Sequence, residues 1–297
     1  MSAVEVRRLG QADYADFERF LSGRAETSMF LRSNARAAGL DYAGEPLQAR
    51  HFGAFEGGRL AGVLALAWNG NLLVQAPPEL VDALLAAARD AEPDIVVRGV
   101  AGAGEQAGRL LDLLQPPPES LTLSEREPLF RLRIDALKAP GALVSGELRA
   151  RRADLDDLDL LIAWRTQYDT ETLGGLRPEM RDDPQAAIGS WIGRTPVFLL
   201  EDGARPLAMA SWNASLPDMV QIGGVFTPPE LRGRGFGRTV VAAALIAAQD
   251  AGVLSAILFT HTPEAERAYR ALGFERIGDH HIALFDPGVR LGDLLRA

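Results

Sequence analysis

Residues 231–252 read LRGRGFGRTVVAAALIAAQDAG: three arginines and three glycines set directly before a run of alanine, valine and leucine. Glycine admits backbone dihedrals that other residues avoid, and it lets a ligand approach without meeting a Cβ. The apolar run from Thr239 to Ala248 is a helix to be packed on a sheet. The first turn of a helix leaves N–H groups without intrahelical acceptors and carries the positive end of the helix dipole. A glycine turn at that place is an anion site suited to a pyrophosphate, and Arg232, Arg234 and Arg238 add charge around it. The strand MVQIGGVF (219–226) and the turn TPPEL (227–231) lead into it.

Two nucleotide-phosphate motifs fail on spacing. A P-loop requires lysine followed by serine or threonine after the glycines, and this loop has no lysine. A dinucleotide turn requires Gly-x-Gly-x-x-Gly, whereas Gly233, Gly235 and Gly237 alternate.

The rest of the chain limits the setting. Of 297 residues 47% are hydrophobic, enough for real cores and long enough for two domains. The net charge is −9, with 19 acidic and 15 basic residues up to residue 140 and 21 and 16 beyond it. Neither half carries the basic stripe of a nucleic-acid binder. There is no cysteine, hence no disulfide frame, thiolate metal site or nucleophilic thiol. The charged N-terminus and the lack of an apolar run of about 18 residues suit a cytoplasmic protein without a membrane span.

A small, weakly patterned stretch, ALKAPGALVSGE (136–147), divides the chain. The expected layout is a first domain over 1–137, a linker over 138–147 and a second domain over 148–297. Both halves open with strand, turn and helix. Both then carry a hairpin, around Glu56-Gly57-Gly58 in the first and Glu201-Asp202-Gly203 in the second, followed by strand, helix, strand and helix. AWNGNLLVQAPPEL in the first half is echoed by SWNASLPDMVQIGGVFTPPEL in the second, so the chain reads as a duplicated α/β unit.

Arg-x-x-Gly-x-Gly after a strand and before a long helix resembles the acetyl-CoA loop of the GCN5-related N-acetyltransferase (GNAT) superfamily. The stretch SAILFTHTPEAERAYRALGFERIG (255–278), in which a tyrosine-bearing helix ends at Gly273-Phe274, looks like a second signature of that family. Together with GGVFTPPELRGRGFG the pair is similar to the glycine N-acyltransferase-like branch. The resemblance covers about residues 148–286. It implies an α/β (α+β) fold of two tandem GNAT-like domains, each a mixed, mostly antiparallel sheet flanked by helices.

It also implies an N-acetyltransferase that uses acetyl-CoA as co-substrate, without a metal, and acetylates a primary amine of a small molecule or peptide. By the family pattern Val225, Phe226 and Thr227 take the pantetheine arm where the fourth and fifth strands splay. Arg232, Gly233, Arg234, Gly235, Phe236, Gly237 and Arg238 take the pyrophosphate. Tyr269 protonates the departing thiolate, a sensible pair given ordinary thiol and phenol pKa values of about 8.5 and 10. The family's asparagine at the start of the tyrosine helix is replaced by Thr262, which retains a capping hydroxyl.

The general base is open among Asp218, His261, Glu171 and an ordered water. Strict alternation from Val225 places Gly223, Gln221 and Met219 on its face, none of them a base. The first half lacks the arginine–glycine loop. Its Gly102-x-Gly104-x-x-x-Gly108 falls at the place of FTHTPEAERAY, so the first domain reads as degenerate, with Trp68, Asn69 and Asn71 on its hairpin. The reading of another class is a non-catalytic acyl-CoA sensor. Peptidyl transfer from aminoacyl-tRNA is disfavoured by acidity and by the intact CoA loop. Oligomeric state stays open between monomer and homodimer.

Overall fold

The structure, a computed structural model, describes residues 4–176 and 178–294. Strand β1 (Val4–Arg8) leads to helices α1 (Tyr14–Ser22) and α2 (Met29–Ala38). The hairpin β2 (Ala49–Glu56) and β3 (Arg59–Ala67) follows, then β4 (Asn71–Gln75), α3 (Pro78–Ala91), β5 (Val96–Ala103) and α4 (Gly104–Leu114). After β6 (Leu121–Arg133) and the short α5 (Gly141–Val144), the order recurs. It runs β7 (Arg149–Arg152), α6 (Leu158–Leu173), α7 (Pro178–Asp182), α8 (Pro184–Arg194), the hairpin β8 (Val197–Asp202) and β9 (Arg205–Ser215), and β10 (Met219–Phe226). It closes with α9 (Phe236–Asp250), β11 (Ser255–Phe259), α10 (Pro263–Leu272) and β12 (Glu275–Arg290). The first hairpin turns on Gly57 and Gly58, both at positive φ, as a two-residue turn matched to strand twist requires.

Two compact units result, Met1–Pro128 with Gly278–Ala297 and Leu129–Ile277. The first has the strand order β1-β2-β3-β4-β5-β12, and the second β6-β11-β10-β9-β8-β7. Among the described residues, the parallel pairs are β4–β5 in the first and β10–β11 in the second. Each sheet is buried on two faces. In the second unit the α9 and α10 side holds Val220, Ile222, Val240, Leu245, Leu258 and Tyr269. The α6 and α8 side holds Leu161, Trp164, Ile188, Met209 and Phe226.

The linear boundary expected at 138–147 is corrected. Leu129–Arg133 of β6 pair with β11 in the second unit, and His280–Arg290 of β12 pair with β5 in the first. Each half therefore ends with a strand that runs into the other unit, β6 from Leu129 and β12 from Gly278. The apolar positions require it: Phe130 and Leu132 are buried in the second core, Ala283 and Phe285 in the first. The stretch 138–147 includes α5 rather than forming a bare linker.

The duplication extends to side-chain detail. Arg7 donates two hydrogen bonds to Asp13, whose Oδ2 accepts from the Gly10 N–H at 3.0 Å. Residues 144 further on, Arg151 does the same to Asp157, whose Oδ2 accepts from the Asp154 N–H at 3.0 Å. The arginine holds both carboxyls below the usual carboxylate range.

Candidate active site

The two parallel strand pairs differ where it matters. In the first unit β4 pairs with β5 over Asn71–Val74, almost its whole length. In the second unit β10 pairs with β11 only over Met219–Gln221, opposite Ser255–Ile257. Beyond that point Ile222–Phe226 run free of β11, while Leu258 and Phe259 of β11 stay paired with β6. A gap thus opens between β10 and β11 beyond Gln221 and Ile257.

Irregularities in the β9–β10 ladder account for the departure. The register shifts between Gln221 and Ile222, where Asn213 is the extra residue on β9, and again between Gly223 and Phe226. Gly224 takes φ +58°, a left-handed dihedral suited to glycine. An inserted residue reverses which face the following side chains meet. Val225 consequently packs with Val220 and Ile222 on the α9 side, while Phe226 packs on the α6 side. The alternation that placed Gly223 and Gln221 on the Val225 face is thereby corrected. Gln221 is 1% exposed; its Nε2 donates to the Ile222 carbonyl at 2.8 Å where the strands part, and its Oε1 has no hydrogen-bond partner among the described residues.

The glycine-rich joint stands at the open end of this gap. A 3-10 turn over Pro229–Leu231 brings the chain to Arg232. Gly233 and Gly235 then take φ +76° and +83°, and Gly235 is the residue from which α9 starts. The first helical bond runs from the Thr239 N–H to the Gly235 carbonyl, leaving the N–H groups of Phe236, Gly237 and Arg238 without a carbonyl four residues back to receive them. Gly237 allows close approach, since a Cβ there would lie 3.4 Å from Thr227 Oγ1 and 3.8 Å from Val225 Cγ1.

The three arginines are held differently. Arg232 donates through Nε to the Thr227 carbonyl at 2.9 Å and through Nη2 to Glu171 Oε2 at 2.6 Å. Arg234 lies over the Phe236 ring at 5.0 Å. The Nε of Arg238 is buried without a partner among the described residues. The three arginines thus flank a helix start whose first N–H groups lack intrahelical acceptors, a combination suited to a diphosphate.

Tyr269 on α10 is 7% exposed and meets Phe274 edge-on at 6.1 Å, in the same core as Val225. Thr262 caps α10, its hydroxyl accepting from the Ala265 N–H at 3.3 Å. Of the base candidates, Asp218 precedes β10 at the end away from the loop, roughly 23 Å of strand from Val225 at about 3.3 Å per residue. His261 is exposed, just past β11. Glu171 lies in the last turn of α6 and spends its carboxylate on Arg232 and Gln167.

Sequence reasoning missed a set of residues on the α6 side of the bulge. Arg165 and Asp169, both buried, form an i,i+4 ion pair at 2.8 Å, and the Arg165 guanidinium lies 5.0 and 5.1 Å from the Tyr168 and Trp191 rings. Ser211, fully buried, hydrogen-bonds Gly223 O and Asn213 Oδ1. The four-residue spacing of Arg165 and Asp169 on a helix was the one signal present; nothing local marks Ser211.

Comparison with known proteins agrees with this geometry. Residues 161–274 match the family model described as the acetyltransferase (GNAT) family. This stretch is a GNAT-family domain, of a family of acyltransferases that draws on acetyl-CoA. The match is to the family at large and names no branch. Among solved structures, a GCN5-related N-acetyltransferase from Kribbella flavida superposes with a TM-score of 0.59 at 20% identity, covering 93% of this chain and 99% of its own. A Drosophila protein gives 0.62 at 12% identity, with 94% and 98% covered. A tandem GNAT protein from the clavulanic acid biosynthesis pathway gives 0.52 at 14% identity, with 95% and 98% covered. At these identities the likeness is one of fold. No curated protein matches the chain. Among the described residues no helix is long and apolar enough to cross a membrane, and no cluster of three metal-ligating side chains occurs.

Proposed function

We propose that the second unit binds one acetyl-CoA in the β10–β11 gap and transfers its acetyl group to a primary amine by direct attack. The observation that carries this reading is the coincidence of an early strand divergence with a glycine–arginine helix start at its mouth, found among the described residues in the second unit alone. The N–H groups of the α9 first turn, with Arg232, Arg234 and Arg238, bind the diphosphate. The pantetheine arm lies along Ile222–Phe226, and Phe226 and Thr227 line its passage to the loop.

In the reaction a neutral amine attacks the thioester carbonyl carbon, forming the C–N bond. The oxygen takes up the negative charge and accepts a hydrogen bond from the Val225 N–H. As the C–S bond breaks, the Tyr269 hydroxyl gives its proton to the sulfur, and the proton lost by the nitrogen returns to the phenolate through water. The products are an acetamide and CoA thiol. With Glu171 engaged by Arg232 and Asp218 remote, water is the base this reading employs. The acceptor is an amine on a small molecule or peptide, presented from the α6 and α8 side of the bulge.

Thiol release from acetyl-CoA, measured against a panel of amines, amino acids and polyamines with the acetylated product weighed by mass spectrometry, tests the reading. Thiol and acetamide formed in equal amounts support it. Acetyl-CoA binding without thiol release above hydrolysis turns the assignment to a sensor.

A further inference from the structure

Ser211 stands opposite Gly223 across the β9–β10 pair, between the two register shifts. Its residue surface is fully buried, and its hydroxyl lies 3.0 Å from the Gly223 carbonyl oxygen and 2.9 Å from Asn213 Oδ1. One hydroxyl has one proton. The network closes when Ser211 donates to Gly223 O and the Asn213 amide turns an N–H to the serine oxygen, the two amide orientations being alike in shape. Asn213 is itself the extra residue on β9. Its amide fills the place of a Gly223 side chain, with Nδ2 only 2.0 Å from where a Cβ would stand.

The next residue is enclosed as closely. A Cβ at Gly224 would lie 2.9 Å from Ser211 Oγ, 3.5 Å from Arg165 Nη1 and 3.7 Å from Trp191 Cζ2. Two glycines are thus pressed against β9 and α6, and the peptide that follows Gly224 carries the Val225 N–H.

We infer that Ser211, seconded by Asn213, is a positioning residue that fixes the Gly223–Gly224 bulge and so aims the Val225 N–H at the thioester oxygen. The inference rests on the proposed role of that N–H. A bulge leaves a carbonyl outside the regular ladder, and a buried carbonyl must find another donor. Ser211 supplies it from the side of the sheet opposite α9. Without the hydroxyl, Gly223 O loses its donor and the peptide plane is free to rotate toward one, carrying the next N–H out of line. Losing an oxyanion donor outright costs about 10² to 10³ in turnover. Misaligning it costs less.

The test compares the full-length parent with Ser211→Ala and, at an exposed position, Asn213→Ala. Three quantities are read: turnover by thiol release, acetyl-CoA affinity by calorimetry, and the shift of the Val225 amide resonance on adding acetyl-CoA. Ser211→Ala should lower turnover about ten- to a hundredfold, keep affinity within about threefold and reduce the Val225 shift. Asn213→Ala should move turnover and shift in the same direction by less. Parental turnover and an unchanged Val225 shift in Ser211→Ala overturn the inference, as does a loss of affinity that matches the loss of turnover. If the parent itself shows no acetyl-CoA binding, or no Val225 response to it, the proposed function fails and this inference with it.

Discussion

Gly235→Asp, set against Gly235→Asn, isolates the charge at the start of α9. Gly235 has φ +83°, where any side chain adds strain, but asparagine and aspartate share the shape and the relative tolerance of the left-handed region. The strain cancels in the comparison and the charge remains. A carboxylate about 5 Å from a bound phosphate repels each unit of charge by roughly 1 to 2 kcal/mol at an effective dielectric of 40 to 80. It would also draw on Arg238, whose Nη2 lies 3.7 Å from the position of the new Cβ, and so take a cation from the ligand. Together these place the aspartate variant at least about tenfold below the asparagine variant in acetyl-CoA affinity, about 1.4 kcal/mol. Calorimetry at two salt concentrations reads it, and the gap should narrow at high salt as screening shortens the reach of the carboxylate. Equal affinity in two folded variants refutes the diphosphate assignment.

Tyr269→Phe keeps the ring against Phe274 and removes the hydroxyl; turnover should fall by about 10² to 10⁴ with acetyl-CoA affinity within a few-fold, and parental turnover would reduce Tyr269 to packing. Glu171→Gln frees Arg232 from its carboxylate and should tighten acetyl-CoA binding about two- to fivefold, the range of an exposed ion pair. Weaker binding would mean that Glu171 steadies Arg232 for the ligand instead of competing with it. Asp157, held below the usual carboxylate range by hydrogen bonds from Arg151, contributes stability above about pH 4, lost as the pH falls through its lowered value. The gap in urea midpoint between parent and Asp157→Asn should therefore be widest near neutrality and close in acid. A constant gap would remove the ionised carboxylate from the account.

The parts of the molecule legible in the sequence are those in which one residue type answers a local backbone demand. Gly233 and Gly235 sit at positive φ before a helix whose apolar run is plain, so the loop could be read from a hexapeptide. Gly57 and Gly58 gave the first hairpin in the same way. The bulge at Gly224 was not legible, because nothing in QIGGVF states which residue is the extra one, and a one-residue slip reverses every face beyond it. The exchange of β6 and β12 between units was hidden because composition marks a flexible stretch, whereas pairing depends on which apolar positions the distant strands offer. Contacts such as Glu171 with Arg232, 61 residues apart, have no local signature at all.

A crystal structure of the full chain with acetyl-CoA is the most direct test of the central claim. It should hold one acetyl-CoA per chain, with its diphosphate on the N–H groups of residues 233–238, its pantetheine arm between Ile222–Phe226 and the end of β11, and its thioester oxygen at the Val225 N–H. Acetyl-CoA seated in the first unit, or bound away from the loop with the β10–β11 gap empty, would contradict it.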